Sequence, residues 1–410
     1  MSISYEVISG DTFERVARKK YGSEQYSDII ITANPGVQEP LTAGTVLIIP
    51  ALPGAPLVSL QNKAADTLDE VALSIDGERF RFWTGVTISR PMDSLDSIEF
   101  SAPFEPDNAI FREKFRPLSY KDVTVTVGGE PLFTGVMLTP MPDSTAEDRT
   151  VSVKAYSLPG ALNDCTPPVS AFPLEFNGQG LREIAATLVK PFGIPVEFTA
   201  SQGATFKRVA TEPNKKIFGF LSDLAGQRNL IVSSTPRGAL LFQRSTAVGQ
   251  PVARLREGDA PLLSVKPNFK PQGYYSHITG LRGARVGKEG SSYTVANSRL
   301  KGVIRPFIYK VEDSDGADLK SAVEAKAGRM FANAVGYTAS VLSWRNPQGQ
   351  LWTPNTTIKL TAPGAMIYNE YEFLIRSVSL MRAADNELAE LKLVLPGSFE
   401  GKTPEAMPWD

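Results

Sequence analysis

The chain has 410 residues, 42% of them hydrophobic, which is enough for about two to four domains with buried cores. Its 43 lysines and arginines are balanced by 44 aspartates and glutamates, so it lacks the basic surplus of a dedicated nucleic-acid-binding protein. One cysteine, Cys165, and one histidine, His277, exclude an internal disulfide framework and any metal site built from clusters of these two residue types.

The start of the chain shows no targeting segment. Residues 1–5 contain neither the basic region nor the apolar region of a signal peptide. No run of the sequence approaches the roughly 18 consecutive apolar residues of a membrane-spanning helix. We therefore expect neither a signal peptide nor a membrane span.

Residues 1–50 have the pattern of a small strand–helix–helix–strand module. Tyr5 and Val7 alternate as in a short strand, and the following turn leads into a helix that Asp11 or Thr12 can cap. Asn34-Pro35 ends a second helix, and 46–49 is the predicted return strand. The two predicted helices and the glycine stop of the first are marked by Phe13, Val16, Ala17, Tyr21, Gly22, Ile29, Ile30 and Ala33.

This order of parts resembles a LysM module, a βααβ unit that commonly binds N-acetylglucosamine chains of peptidoglycan. The resemblance implies a groove between the two turns, where backbone amides and small residues face the sugar N-acetyl groups. Alternatively, the module only docks on neighbouring proteins. A peptidoglycan-binding module without a secretion signal fits a protein that is released by lysis, as virions are. The predicted groove residues are Gly10, Asp11, Thr12, Ala33, Asn34 and Pro35.

Residues 51–70 form a predicted linker, because the segment 51–56 is rich in proline and glycine. Residues 71–165 then have the sequence pattern of β-strands. Asp76-Gly77 and Gly128-Gly129 are signals for tight hairpins, and six or seven strands in about 90 residues predict a small antiparallel barrel or sandwich. The predicted strands are 71–75, 79–83, 86–89, 97–101, 123–127, 132–138 and 151–156.

Residues 166–250 have the mixed signals of an α/β unit. Apolar residues at helical spacing predict helices at 181–189 and 217–225, which are followed by glycine or proline stops. Cys165 at the boundary is interpreted as a small, partly buried loop residue. Strands are predicted at 194–198, 229–233 and 239–242, and the last two form a hairpin.

Residues 251–400 return to strand patterns and contain one long helix. Apolar spacing over 319–334 predicts a helix of about 18 residues, which Asp315 or Asp318 can cap. Residues 401–410, with two prolines and Trp409, are predicted to be an extended tail. Strands are predicted at 274–279, 303–309, 338–344, 357–361, 371–380 and 390–395, with an exposed hairpin loop at 283–292.

The chain is therefore predicted to have an α+β, mostly β fold. Two antiparallel β-barrel domains, at 71–165 and 251–400, flank the α/β insert domain at 166–250. Because the two β units are similar in size, they indicate an internal duplication.

The segment 344–360 is distinctive, because Trp344 and Trp352 flank a predicted tight turn at 346–349. It is followed by 371–378 and by 391–399, and is preceded by Pro306 and an alanine-rich helix with Arg329. Together these parts look like the tail baseplate hub of contractile-tailed, Mu-like bacteriophages. That family is similar in architecture to the hub part of type VI secretion spike proteins. The resemblance covers residues 65–400.

The tryptophan segment supplies the candidate structural or subunit-contact residues, which are Trp344, Trp352, Pro354 and Asn355. The two tryptophans are interpreted as core or barrel-edge aromatics. The alternative is that they anchor a subunit contact, a role that tryptophan often has. The two roles can coexist.

The resemblance implies a homotrimer whose subunits each carry two tail-tube-like barrels, so that three subunits form a pseudo-sixfold ring. One face would dock on the hexameric tail tube or its initiator, and the other would carry the central spike protein. The other implied partners are baseplate wedge proteins, a tape-measure protein and DNA in transit through the lumen. The implied location is the tail baseplate of the virion, after assembly in the bacterial host cytoplasm.

No constellation in the sequence predicts catalysis or a cofactor. His277 lies in a strand pattern without a nucleophile motif, and no phosphate-binding or dinucleotide-binding glycine motif occurs. Glu312, Asp313 and Asp315 are interpreted as helix-capping residues rather than a glycosidase pair. We therefore predict a structural protein that is not an enzyme and has no cofactor. The alternative is a LysM-targeted protein that binds or hydrolyses peptidoglycan.

Overall fold

Backbone contacts in the computed structural model divide the chain into two units. Unit 1 comprises Met1–Val86, Glu99–Leu132 and Val136–Ala155, and unit 2 comprises Thr87–Ile98, Phe133–Gly135 and Tyr156–Asp410. The structure describes residues 3–7, 11–21, 26–50, 70–145, 149–245, 249–282, 290–311, 316–383, 386–400 and 406–410. Outside these ranges lie several predicted features: Gly10, Gly22, nearly all of the linker, most of the 283–292 loop, and Glu312, Asp313 and Asp315.

The first fifty residues contain the predicted order of elements. Thr12 caps the first helix, since its Oγ1 accepts a hydrogen bond from Arg15 N–H (3.2 Å). The two strands pair antiparallel, and Leu47 and Ile49 of the second face a small apolar core with Val16 and Ile30. The elements are β1 (Ile3–Glu6), α1 (Phe13–Tyr21), α2 (Ser27–Ala33) and β2 (Val46–Ile49).

The remaining described elements that have residues in unit 1 are strands of one sheet and one short helix. They are β3 (Val71–Ile75), β4 (Glu78–Phe80), β5 (Gly85–Pro91), β6 (Ser97–Pro103), α3 (Ala109–Lys114), β7 (Asp122–Val127), β8 (Glu130–Ser144) and β9 (Arg149–Ser157). Their order is β5-β6-β9-β8-β7-β3-β4, and β5, β6, β8 and β9 have residues in both units. Asp76 and Gly77 have φ angles of 52° and 77°, as a type I′ hairpin requires.

The helix α3 was not predicted, and it changes the role of the segment after β4. Phe111 of α3 and Phe115, which follows its last residue, pack on Phe80, with ring centroids 6.3 and 5.5 Å from that of Phe80. Asn108 caps the helix by accepting a hydrogen bond from Ile110 N–H. Phe82 joins this aromatic cluster, 5.8 Å from Phe111. The prediction that strand structure continues to residue 83 is therefore wrong.

Unit 2 contains the α/β segment, which is built around one apolar core. The core includes the five buried apolar residues of the helix at 181–189, whose bounds match the predicted ones. The elements are α4 (Ala161–Asp164), α5 (Leu181–Val189), β10 (Val196–Phe198), α6 (Ile217–Gln227), β11 (Ile231–Ser234) and β12 (Leu240–Gln243). The strand β12 lies between β10, to which it is parallel, and β11, to which it is antiparallel.

Within the described ranges, the rest of unit 2 has ten strands and α-helices, of which β13, β14 and β16 were not predicted. They are β13 (Arg254–Arg256), β14 (Leu262–Phe269), β15 (His277–Arg282), β16 (Ser292–Ala296), β17 (Pro306–Val311), α7 (Gly316–Ala334), β18 (Val335–Leu342), β19 (Thr357–Ala362), β20 (Ile367–Ala383) and β21 (Asn386–Val394). One sheet has the order β14-β18-β21-β20, and β19 joins β20 to β13. In a separate sheet, β15 lies between β16 and β17, and α7 packs on it.

The prediction of a mostly β fold is confirmed, but closed barrels are not found among the strands that the structure describes. The strand order in unit 1 ends at β4, and that in unit 2 ends at β14. Alternating apolar residues indicate that one face of a strand is buried, but they do not determine whether the first and last strands of a sheet pair to close a barrel. The predicted domain boundaries and the duplication stay predictions.

A buried ion pair lies at the turn between β5 and β6. Arg90 Nε is 3.5 Å from Asp96 Oδ2, and their side chains are 9% and 3% exposed. Asp96 N–H donates to Ser234 Oγ (2.8 Å), and Asp96 O accepts from Ser157 N–H (2.9 Å). Burial raises the pKa of Asp96 to about 7, because the lost hydration outweighs the attraction of Arg90.

This raised pKa predicts how stability depends on pH. The folded protein holds the Asp96 proton up to about pH 7, whereas the ordinary pKa is 3.8. The stabilisation from this group is therefore complete below about pH 4 and is lost as the pH rises to about 7. The Asp96→Asn variant lacks this contribution. The difference between its unfolding free energy and that of wild type should therefore increase with pH, by up to about 1.4 kcal/mol per pH unit between about pH 4 and pH 7. Urea unfolding at several pH values measures the difference.

Asp107→Asn, at an exposed aspartate, is the control for the loss of one carboxylate elsewhere in the chain. The same pH course in both variants would assign the effect to net charge rather than to burial of Asp96. Parallel pH curves for wild type and Asp96→Asn would contradict the assignment.

Candidate interaction sites

Asn34 in the predicted glycan groove is a structural bridge inside its module. Its side-chain amide donates to Ile30 O (2.8 Å) and Ile48 O (2.7 Å), and its Oδ1 accepts from Ile48 N–H (2.8 Å). The residue is buried. Both amide N–H groups are therefore used between α2 and β2, which leaves neither for a sugar.

Most of the other predicted groove residues are also buried or hydrogen-bonded within the module. Asp11 is buried and accepts a hydrogen bond from Tyr5 OH (2.7 Å), while Thr12 caps α1. Ala33 is half-buried and Pro35 is exposed. Gly10 lies outside the described residues. Of the described groove residues, only Pro35 is fully exposed to an incoming ligand.

Tyr26 joins this module to the region after β4 within unit 1. Its hydroxyl donates to Arg81 O (2.7 Å), and its ring lies 5.8 Å from that of Phe82. Phe82 in turn belongs to the aromatic cluster of α3. Through this contact the module packs on the segment after β4 of its own chain.

The two tryptophans of the distinctive segment are core residues. Trp344 and Trp352 are 1% and 0% exposed. Trp344 Nε1–H donates to Met381 O (3.0 Å), and Trp352 Nε1–H donates to Ser343 O (3.2 Å). The hydrogen-bonding groups of both indoles are thus paired within unit 2, and the two side chains expose almost no surface to another subunit. Trp352 itself lies outside the strands, and β19 starts at Thr357, as predicted.

The turn between the tryptophans is tight, as predicted. Asn346 is buried, and its Oδ1 accepts hydrogen bonds from Gln348 N–H (2.9 Å) and Gln350 N–H (3.1 Å). Trp352 N–H donates to Trp344 O (2.9 Å), which closes the loop. The turn therefore holds the two indoles in place through its own hydrogen bonds.

Asn355 connects this segment to the α/β part of unit 2. Its Nδ2 donates to Gln243 Oε1 (3.0 Å) and to Arg244 O (2.9 Å). Its backbone is left-handed, with φ of 63°, a conformation that asparagine tolerates better than most residues. Pro354 beside it is half-buried. Both residues therefore act within the chain in this structure.

An exposed apolar group that the sequence did not reveal lies beside α3. Leu118 and Tyr120 are 80% and 58% exposed, and Ile110 is 49% exposed. Leu118 and Tyr120 both have left-handed backbones, with φ of 59° and 49°. Such strain in residues other than glycine is often found at functional positions. No glycine or asparagine in this loop signals the conformation, so sequence reasoning had no means of finding it.

The loop that carries these residues is held from both sides. Lys121 Nζ lies 3.1 Å from Asp76 Oδ2 and 3.2 Å from Glu113 Oε1. Ser119 Oγ donates to Arg116 O (2.7 Å). These contacts fix the backbone while leaving the apolar side chains in solvent, an arrangement suited to contact with another protein.

The described residues contain no arrangement that would support catalysis by the single histidine. His277 Nδ1 lies 3.0 Å from Ser276 Oγ, but that hydroxyl is buried and accepts a hydrogen bond from Arg305 N–H (2.9 Å). Within the described ranges, no group of three or more His, Cys, Asp or Glu side chains could hold a metal ion. No helix of the described part is long and apolar enough to cross a membrane. Cys165 is half-buried against the α/β core.

Comparison with protein families finds one matching domain. Residues 159–244 match the model of the second domain of baseplate hub proteins that are gp44-like. These residues correspond to α4–α6 and β10–β12, which share one apolar core.

Individual relatives extend the similarity to most of the chain. The baseplate hub protein gp44 of Escherichia phage Mu is 24% identical over 327 residues, which span 76% of this chain and 83% of that protein. A 43 kDa tail protein of prophage MuSo2 from Shewanella oneidensis has a TM-score of 0.70 at 24% identity, covering 81% of this chain and all of that one. A tail protein from Neisseria meningitidis has a TM-score of 0.69 at 20% identity, covering 81% of this chain and 98% of that one. The two solved structures establish the fold, and together with the domain match the relatives support a hub-like baseplate protein.

Burial of Trp352 predicts a large effect of its removal. Trp352→Ala should lower the unfolding free energy by about 3–5 kcal/mol, because it leaves a cavity and an unpaired Ser343 carbonyl. Denaturant unfolding followed by circular dichroism measures the loss. Trp83→Ala, at a half-buried tryptophan, is the control and should lose much less. A loss below about 1 kcal/mol at Trp352 would contradict its assignment to the core.

The strained backbone at Leu118 predicts that glycine is better tolerated there than alanine. Both Leu118→Gly and Leu118→Ala remove the exposed side chain, but only glycine relieves the left-handed conformation. We expect Leu118→Gly to be more stable than Leu118→Ala by about 0.5–1 kcal/mol, after allowing for the greater freedom of glycine in the unfolded chain. Thermal unfolding compares the two variants, and equal stabilities would show that the backbone is not strained.

Proposed function

We propose that this chain is the hub of a contractile phage-tail baseplate, or of a phage-tail-like particle, and that it works without turning over a substrate. The observation that carries the proposal is the hub-domain match at 159–244, within a relationship to the Mu hub protein that spans 76% of the chain. The matched domain shares its core with Leu95 of the β5–β6 turn. It is therefore built into unit 2 rather than tethered to it.

We further propose that three copies form a ring that adapts a threefold spike to a sixfold tail tube and seeds assembly of that tube. A trimer can match a hexameric tube only if each chain offers two comparable faces. The strands β3–β9 and the set β13–β14 with β18–β21 are two groups of strands that could supply such faces; the second group is antiparallel except for the parallel pair β13–β19.

The proposed ring would surround the path of DNA through the tail. Phosphate contacts with lysine and arginine hold DNA strongly, so a lumen through which DNA slides should carry no large basic surplus. The balance of 43 basic against 44 acidic residues is compatible with that requirement. The proposed partners are the central spike, the tail tube or its initiator, the wedge proteins and a tape-measure protein. The proposed location is the virion baseplate after assembly in the host cytoplasm.

The N-terminal module is proposed to dock on protein within the particle. Internal use of Asn34 and Asp11 and the contact of Tyr26 with Arg81 and Phe82 support docking. Peptidoglycan remains the other ligand that the LysM resemblance implies. The comparisons do not support a peptidoglycan hydrolase.

Two proteins test both proposals: the full chain and a form that lacks residues 1–54. By sedimentation equilibrium we expect both to have three times the mass of one chain, because trimer contacts are assigned to the body. Mixed with insoluble peptidoglycan, both should remain mostly in the supernatant. Pelleting of the full chain alone would assign glycan binding to the module without affecting the hub proposal. A monomer with lytic activity would contradict the hub proposal itself.

A further inference from the structure

The last five residues of the sequence, 406–410, form a compact segment on unit 2 that we call the strap. It closes on itself, since Asp410 N–H donates to Met407 O (3.0 Å) and Met407 N–H donates to Asp410 Oδ2 (2.7 Å). Met407 and Pro408 are buried. Residues 401–405 lie outside the described ranges. An extended tail was predicted here, but the described part of it is folded against the protein.

The strap binds the first half of β20. Tyr368 N–H donates to Pro408 O (3.3 Å), and Tyr371 OH donates to Ala406 O (2.9 Å). This part of β20 lies beyond the end of its neighbour, because the pairing with β21 stops at Leu374 and Val394. The strap therefore occupies a length of β20 that β21 does not reach.

Tyr368 lies where the pairing of β20 with β19 is irregular. Leu360 pairs with Tyr371 and Ala362 pairs with Ile367, so residues 368–370 of β20 lie opposite the single residue Thr361. The strap bonds β20 within this irregular segment, through the Tyr368 N–H and Pro408 O.

A row of aromatic rings leads from β20 to the end of β14 beneath this region. Neighbouring ring centroids in the row are 5.0–5.6 Å apart. Trp409 of the strap packs on one end of the row, and Tyr371 at the other end bonds Ala406. The row runs Trp409, Phe269, Tyr337, Phe373 and Tyr371.

A charged pair fixes the far end of the strap. Arg299, between β16 and β17, places Nη2 2.8 Å and Nη1 3.4 Å from the two carboxylate oxygens of Asp410. Hydrogen bonding to Arg299 holds the pKa of Asp410 below its usual value. The strap is thus attached to β20, to β14 and to the segment before β17.

Pro408 lets the strap cover a strand edge without extending the sheet. Its carbonyl accepts the Tyr368 N–H, but proline has no N–H to donate in return. Proline and charge at an edge are the usual means by which proteins prevent strand pairing between molecules. Pro408 and Asp410 supply both at this edge.

We propose that the strap is a guard that prevents two copies of this chain from pairing along β20. An uncovered strand edge can pair antiparallel with the same edge of a second copy, because a twofold axis makes the two edges complementary. Removing Trp409 would also uncover more of Phe269, which adds apolar area to such a contact. This inference does not depend on the hub proposal, since it concerns association through a single strand edge.

The test compares the full chain with a form that lacks residues 406–410. In the shortened form, hydrogen exchange at the Tyr368 amide should be at least about tenfold faster in dilute solution, where copies do not associate. At higher concentration, sedimentation velocity should show an additional species with twice the mass of the wild-type particle. A synthetic peptide of residues 402–410 should reverse both changes.

Two point variants separate loss of the strap from loss of folding. Arg299→Gln removes the partner of Asp410. It should increase Tyr368 amide exchange and the amount of the larger species, but less than removal of residues 406–410 does. Lys301→Gln removes an exposed positive charge two residues away and should behave as wild type. An unchanged exchange rate at the Tyr368 amide in the shortened form would contradict the proposal that the strap covers β20. Faster exchange without the larger species would overturn the role of a second copy, and an equal effect of Lys301→Gln would assign the change to charge alone.

Discussion

The turn between β5 and β6 is the constraint on which the arrangement of unit 2 depends. Met92 N–H donates to Arg376 O (2.8 Å), and its buried side chain packs with residues from β11, β20 and β21. Asp93 forms a two-point ion pair with Arg376, at 2.8 and 3.3 Å. Leu95 enters the α/β core, while Asp96 bonds Ser234 and pairs with Arg90. One short turn therefore ties the β5–β6 hairpin to both the α/β segment and the long strand β20.

The same network reaches the long helix. Arg376 Nη1 donates to Asn333 Oδ1 of α7 (2.6 Å), and Arg329 of α7 donates to Leu230 O (3.1 Å). Arg329 lies so close to α6 that a Cβ on Gly226 would be 2.7 Å from its Nη1, so a side chain at position 226 would displace the guanidinium group. Ion pairs of this kind contribute little stability when exposed and can be unfavourable when buried. Their effect here is to specify which elements meet, because a misplaced element would leave a buried charge without its partner.

These features suit a protein whose task is to hold a position. The groups that sequence patterns single out as chemically interesting, such as Trp344, Asn355, Asn34 and the single histidine, are used for internal contacts in the described structure. Among the exposed apolar side chains of the described part, Leu118 is one of the most accessible, at 80%. A hub needs ordered edges and contact surfaces of this type, and it also needs to prevent the wrong edge from pairing, which is the role assigned to the strap.

The sequence by itself determined the elements whose signals are local. The bounds of α5 and β2 and the type I′ hairpin at Asp76-Gly77 follow from apolar spacing and turn chemistry within a few residues. Only the tertiary structure decided that the described strands do not close into barrels, that Asn34 faces inward, and that Leu118 has a left-handed backbone. The physical reason is that these outcomes depend on partners remote in the chain. Asp93 and Arg376, separated by 283 positions, are brought together by folding, and no periodicity in the sequence relates them.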